Sequence, residues 1–149
     1  MELIGAMWDN SIIRTAIVGW FVAQFLKVLV DIWKTGKFDI KRFIGGSGGM
    51  PSSHTSLVIS TCIAVLAREG PHSSIFALSV VLAGVVMYDA IGVRRAAGEH
   101  ARMINALVDE WDWNNPLLMG TRLKELLGHT PLEVCAGAVV GLIVGILMN

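Results

Sequence analysis

Two histidines at the entrances of apolar segments are the residues of this chain best suited to chemistry. His54 closes the run Gly-Gly-Met-Pro-Ser-Ser-His that begins at Gly48, and His129 sits in Leu-Gly-His-Thr-Pro-Leu-Glu-Val, which begins at Leu127. Imidazole titrates near neutral pH, so a histidine at the first turn of a helix can donate a proton or hydrogen-bond to a phosphate oxygen. Gly48 and Gly49 can bring backbone N–H groups close to an anion, and Ser52 or Ser53 can cap a helix whose N-terminal dipole favours negative charge. The same Pro-Ser-Ser run also fits an ordinary helix start. Two such entrances, each with a histidine, point to one shared phosphate site.

His129 and Glu133 are four residues apart and share a helix face, with Cβ atoms about 5 to 6 Å apart. A carboxylate there orients the imidazole and leaves its other ring nitrogen free to attack phosphorus. Thr130, Pro131 and Glu133 equally fit an N-cap, an N1 proline and the acid of a capping box, and spacing alone leaves both uses open. Further back, Gln24, Lys27 and Asp31 fall on one side of an apolar helix, where polar groups face a protein interior or a wet cavity. Lys27 can serve an anion or simply pair with Asp31. Arg94 and Arg95, after Tyr88 and Asp89, can clamp a phosphate through their guanidinium groups or snorkel to the interface. His72 and His100 have no comparable surroundings and fall outside the site.

The elements that must hold these groups are membrane helices. Of 149 residues, 54% are hydrophobic and only 16% charged, and the mean hydropathy is +0.62, far from the balance of a soluble domain. A span needs about 20 mainly apolar residues. Ser11 to Trp33, Ser74 to Val93 and Pro131 to Met148 qualify, whereas Ser53 to Ala67 is short, carries Ser56, Ser60 and Thr61, and is expected to face protein. The expectation is one all-α, integral membrane helical bundle over residues 1–149, with about four membrane helices and a short interfacial helix. No basic run precedes the first apolar segment, so no cleaved signal peptide is read.

A formal net charge of zero gives no support to nucleic acid as a partner. With four crossings, Lys34, Lys37, Lys41, Arg42, Arg94, Arg95, Arg102, Arg122 and Lys124 fall on one side. The positive-inside rule then places the site on the cytoplasmic face of a cell membrane with both termini outside. Cys62 and Cys135 lack metal-ligand spacing and read as packing residues.

Along the chain, Lys34 to Gly49 is a basic, glycine-rich connection containing Gly45 and Gly46, and Gly70 with Pro71 turns the chain back. The third helix is expected to run from Ser74 toward Arg95. After Gly98, Glu99 to Asp112 is an amphipathic interfacial stretch with Met103, Ile104, Leu107, Val108 and Trp111 on its apolar stripe. Trp111 and Trp113 read as interfacial anchors before Pro116, and Leu117 to Leu127 as a short helix. Gly137, Gly141 and Gly145 form a stripe for close packing, within the protomer or in a homo-oligomer.

With these residues in view, the chain resembles the divergent branch of the type-2 phosphatidic acid phosphatase superfamily, related to acid phosphatases and vanadium-dependent haloperoxidases. The resemblance rests on Gly-Gly-Met-Pro-Ser-Ser-His-Thr from Gly48, Tyr-Asp-Ala-Ile-Gly-Val-Arg-Arg-Ala-Ala-Gly from Tyr88 and Gly-His-Thr-Pro-Leu-Glu-Val from Gly128. It implies that His54 protonates the leaving group, that His129 is the nucleophile and that Glu133 orients it. Ser53 stands where the wider superfamily has glycine, and Glu133 where it has aspartate. Lys27 is the branch's candidate lysine; the superfamily's serine-arginine pair ahead of the nucleophile is missing, because Arg122 precedes His129 by seven positions instead of six, and Arg94 and Arg95 are expected to take over that charge. The implied activity is hydrolysis of a lipid phosphate or diphosphate, with no metal or cofactor, through a phosphohistidine and sensitive to vanadate. The alternative is a non-catalytic lipid-phosphate binding or transport protein that keeps the anion site.

Overall fold

A computed structural model of the chain describes residues 5, 8–36, 49–110, 122–125 and 127–149. Five helices are described: α1 (Ser11–Thr35), α2 (Ser53–Glu69), α3 (Ser74–Ile91), α4 (Val93–Glu110) and α5 (Pro131–Met148). Their starts follow from local chemistry. Asn10 caps α1 by accepting from the N–H groups of Ile12 and Ile13, Ser52 caps α2, Ser73 caps α3, and Thr130 with Glu133 forms a capping box at α5. α1 ends at Gly36, whose φ of 66° suits glycine and lets its N–H reach the carbonyl of Ile32.

The bundle is all-α, as the sequence requires, and three helical stretches are long and apolar enough to cross a membrane: Ser11–Thr35, Ser74–Glu110 and Pro131–Met148. Phe21, Phe25 and Leu29 of α1, Leu78, Val81 and Val85 of α3, and Leu142, Ile143 and Ile146 of α5 are exposed. By contrast, the largest fully buried side chains are Thr15, Thr55, Ser52, Ser56 and Ser60. Lipid tails are as apolar as leucine, so close backbone approach and interhelical hydrogen bonds hold such helices together.

α2 is the centre, packed against α1, α3 and α5. Its Ser56 hydroxyl donates to the carbonyl of Gly19 at 2.8 Å, a bond worth about 0.6 kcal/mol in this setting. On the other side, a Cβ on Gly137 would collide with the carbonyl of Ser52, on Gly141 with that of Ser56, and on Gly145 with Ile63. The glycine stripe therefore seats α5 on α2 within the protomer. Of the two uses that the spacing left open, packing within the protomer is the one these contacts make. Cys62 packs with Val58 and Ala83 as expected, whereas Cys135 is exposed.

Three boundaries differ from the sequence reading. α3 stops at Gly92 rather than near Arg95, so Arg94 and Arg95 open α4. Gly98 lies inside α4 and is buried, because a later segment crosses it. Residues 122–125 and 127, expected to be helical, are not. The expected roles of Gly45, Gly46, Gly48, Lys37, Lys41, Arg42, Trp111, Trp113 and Pro116 fall outside the described residues.

Candidate functional site

Helix direction brings the described site residues to one end of the bundle. α1 and α3 end there, while α2 and α5 begin there. The two helix starts are tied directly: the N–H of Ser52 donates to the carbonyl of Glu133 at 3.0 Å. A further backbone bond, from the N–H of His129 to the carbonyl of Ala90 at 2.9 Å, fixes the approach to α5 against the end of α3.

His129 is buried, with 7% of its surface exposed. Its Nδ1 lies 3.2 Å from Glu133 Oε2, and the same oxygen accepts the N–H of Thr130 at 3.0 Å. The Thr130 hydroxyl accepts the N–H of Glu133 at 3.3 Å in return. Both uses of Glu133 left open by spacing are therefore realised through one carboxylate. Because a carboxylate only accepts, Nδ1 carries the proton and Nε2 of the neutral ring keeps its lone pair. Burial holds the His129 imidazolium below its ordinary pKa; the bond to Glu133 opposes this, and the charges of Lys27 and Arg94 add to the lowering.

Lys27 is 5% exposed on α1. Its stem runs beside Gly49, where a Cβ would sit 3.6 Å from the Lys27 Cγ, and its ammonium lies in the fields of Glu133 and Asp31. His54, at the first turn of α2, is exposed and within electrostatic range of His129, Lys27 and Arg94. Arg94 forms an ion pair with Asp89, and Arg95 lies 3.4 Å from Glu99.

Ser52 and Ser53 are buried, at 0% and 3% exposure. The Ser52 hydroxyl accepts from the hydroxyl of Thr55 at 3.0 Å and from its N–H at 3.4 Å. The Ser52 hydroxyl thus serves as the cap of α2. Gly49 has a φ of 87° and borders a cavity of about 690 Å³, together with Glu133, Thr130, Arg95 and Arg102. Arg122 pairs with Asp109 of α4.

Sequence reasoning missed Asn105. It is buried on α4 and binds the backbone of Leu123 in the segment leading to His129. Gly98, Ala101 and Asn105, the buried residues of α4, recur at spacings of three and four. That run, set apart from the apolar stripe of the same helix, was the available signal for a covered face.

Residues 8–144 match the model of the Divergent PAP2 family. The chain is also 34% identical, over an alignment of 160 residues, to the uncharacterized membrane protein YuiD of Bacillus subtilis (strain 168), covering 99% of this chain and 97% of that protein. No solved structure matches significantly.

Proposed function

Because the chain belongs to the divergent PAP2 family, we propose that it is a membrane-embedded phosphatase that hydrolyses a lipid phosphate or diphosphate. The observation that carries this reading is the buried His129–Glu133 pair, at 3.2 Å, at the end of the bundle that also holds His54, Lys27 and Arg94. In this mechanism Nε2 of His129 attacks phosphorus and the bond to the leaving oxygen breaks, with His54 supplying the proton that oxygen requires. Glu133 stabilises the charge that develops on the His129 ring. Water then attacks phosphorus, passing a proton back to His54, and phosphate leaves as the N–P bond breaks. Lys27, Arg94 and Arg95 neutralise the phosphoryl oxygens, with the Gly48 and Gly49 amides as further donors. A lipid suits the setting because its tail stays in the bilayer while its headgroup enters at the aqueous end.

The test is phosphate release by the full chain in detergent, without added metal, from phosphatidic acid, prenyl phosphates and prenyl diphosphates, beside His129→Ala. Release that disappears in the variant supports the hydrolase. Vanadate binding with no release from any substrate supports the non-catalytic binding or transport protein instead. The basic residues favour the cytoplasmic face for the site, and a tag at residue 1 accessible on intact cells is the matching expectation.

A further inference from the structure

His129 is approached along the chain by a strap that lies across α4. Its contacts step backward along α4 and into the end of α3 as the strap steps forward: Leu123 meets Asn105, Glu125 and Leu127 cross Gly98, Gly128 rests on the backbone of Arg94 and Arg95, and His129 bonds to Ala90 of α3. A Cβ on Gly98 would lie 2.6 Å from the carbonyl oxygen of Glu125. Gly128, at φ 82°, can touch the start of α4 only because it has no side chain.

One buried side chain holds the far end of the strap. Asn105, 5% exposed, donates from Nδ2 to the carbonyl of Leu123 at 2.9 Å and to Glu125 Oε1 at 2.7 Å, and its Oδ1 accepts the N–H of Leu123 at 3.0 Å. It thus gives Leu123 both the donor and the acceptor that a neighbouring strand would give. The other described anchor, the ion pair of Arg122 with Asp109, is exposed, and such pairs hold little.

We infer that Asn105 is a positioning residue for His129, setting through the strap where the imidazole stands against the phosphate. This rests on His129 being the nucleophile. Glu133 and Thr130 fix the ring from the α5 side, and Asn105, Gly98 and Gly128 fix its backbone from the α4 side. Elsewhere on α4, Met103, Ile104 and Leu107 are exposed.

The test uses the full chain in detergent with Asn105→Ala. Hydrogen exchange at the Leu123 and His129 amides should quicken about tenfold or more, while amides of α5 beyond Val134 stay protected. The kcat per folded molecule should fall about 10- to 100-fold, as for a nucleophile displaced by a fraction of an ångström, with KM changed by less than about threefold. Unchanged exchange at His129 together with parental kcat, even with a lower Tm, overturns the inference. If that variant does not fold, Asn105→Asp keeps the shape and the acceptor but faces the Glu125 carboxylate. Its kcat should fall and be partly regained on adding Glu125→Gln; a double variant no better than the single one overturns the inference. If the parent releases no phosphate from any substrate, the phosphatase reading fails, and exchange at His129 alone then upholds or overturns the role of Asn105.

Discussion

Glu133 reaches Nδ1 of His129 at 3.2 Å through Oε2, the oxygen that also caps the first turn of α5 at the N–H of Thr130. The helix start and the orientation of the ring are therefore not separable by deleting the side chain. They are separable by removing its charge, because glutamine also serves at this position of a capping box.

Glu133→Gln should leave the thermal stability within about 1 kcal/mol of the parent. It should lower kcat by about 10²- to 10⁴-fold, as expected when the ring loses the anion that stabilises its cation. Thermal denaturation and phosphate release on one preparation check both halves. Equal loss in Glu133→Gln and Glu133→Ala of stability and rate together would reduce Glu133 to a cap.

His129 carries a pH dependence of definite sign. Burial sets its folded pKa below the unfolded value of about 6.5. The associated stability is present above that unfolded value and is lost as pH falls through the folded one, since the unfolded chain takes the proton first. Denaturation midpoints should thus drop between about pH 7 and pH 5 more steeply for the parent than for His129→Gln. Hydrolysis needs the neutral ring, so its acidic limb should fall below pH 6.5 and move lower still in Glu133→Gln, which removes both contributions that raise the pKa.

Lys27→Met keeps the stem beside Gly49 and removes the buried charge. Vanadate affinity and kcat/KM should each fall about 10- to 100-fold, the scale of losing a close charge contact to the anion. Thermal denaturation of the same preparation shows whether the variant is folded. Isothermal titration with vanadate reads the first effect; parental affinity would remove Lys27 from the site.

Alanine at Gly137 forces a methyl onto the Ser52 carbonyl, and at Gly84 it meets nothing within 4 Å. Gly137→Ala should cost about 1 to 3 kcal/mol, and Gly84→Ala should be neutral or stabilising by up to about 1 kcal/mol. Unfolding in detergent with added denaturant compares them.

The parts of the fold written in short local patterns were legible. Ser52 and the Thr130-Pro131-Glu133 run announce helix starts, and long apolar runs announce α1, α3 and α5. His54, Lys27 and His129 meet because those starts and ends alternate along the chain. What could not be read locally is the strap. Leu117 to Leu127 has the leucine content of a helix, but the backbone groups of Leu123 are taken by Asn105, which lies 18 residues earlier. Gly98 reads as a break, since glycine weakens a helix interior, yet it is retained inside α4 where the strap crosses. The burial of the serines was not legible either, because a hydroxyl suited to phosphate is equally suited to closing a helix against its neighbour.

The seam between α2 and α5 has a consequence for selectivity. Where Gly137 and Gly141 meet the carbonyls of Ser52 and Ser56, the two backbones approach too closely for a hydrocarbon chain to slide between them. A lipid tail therefore finds no entry between these two helices, and this seam supplies no wall against which tail length could be measured.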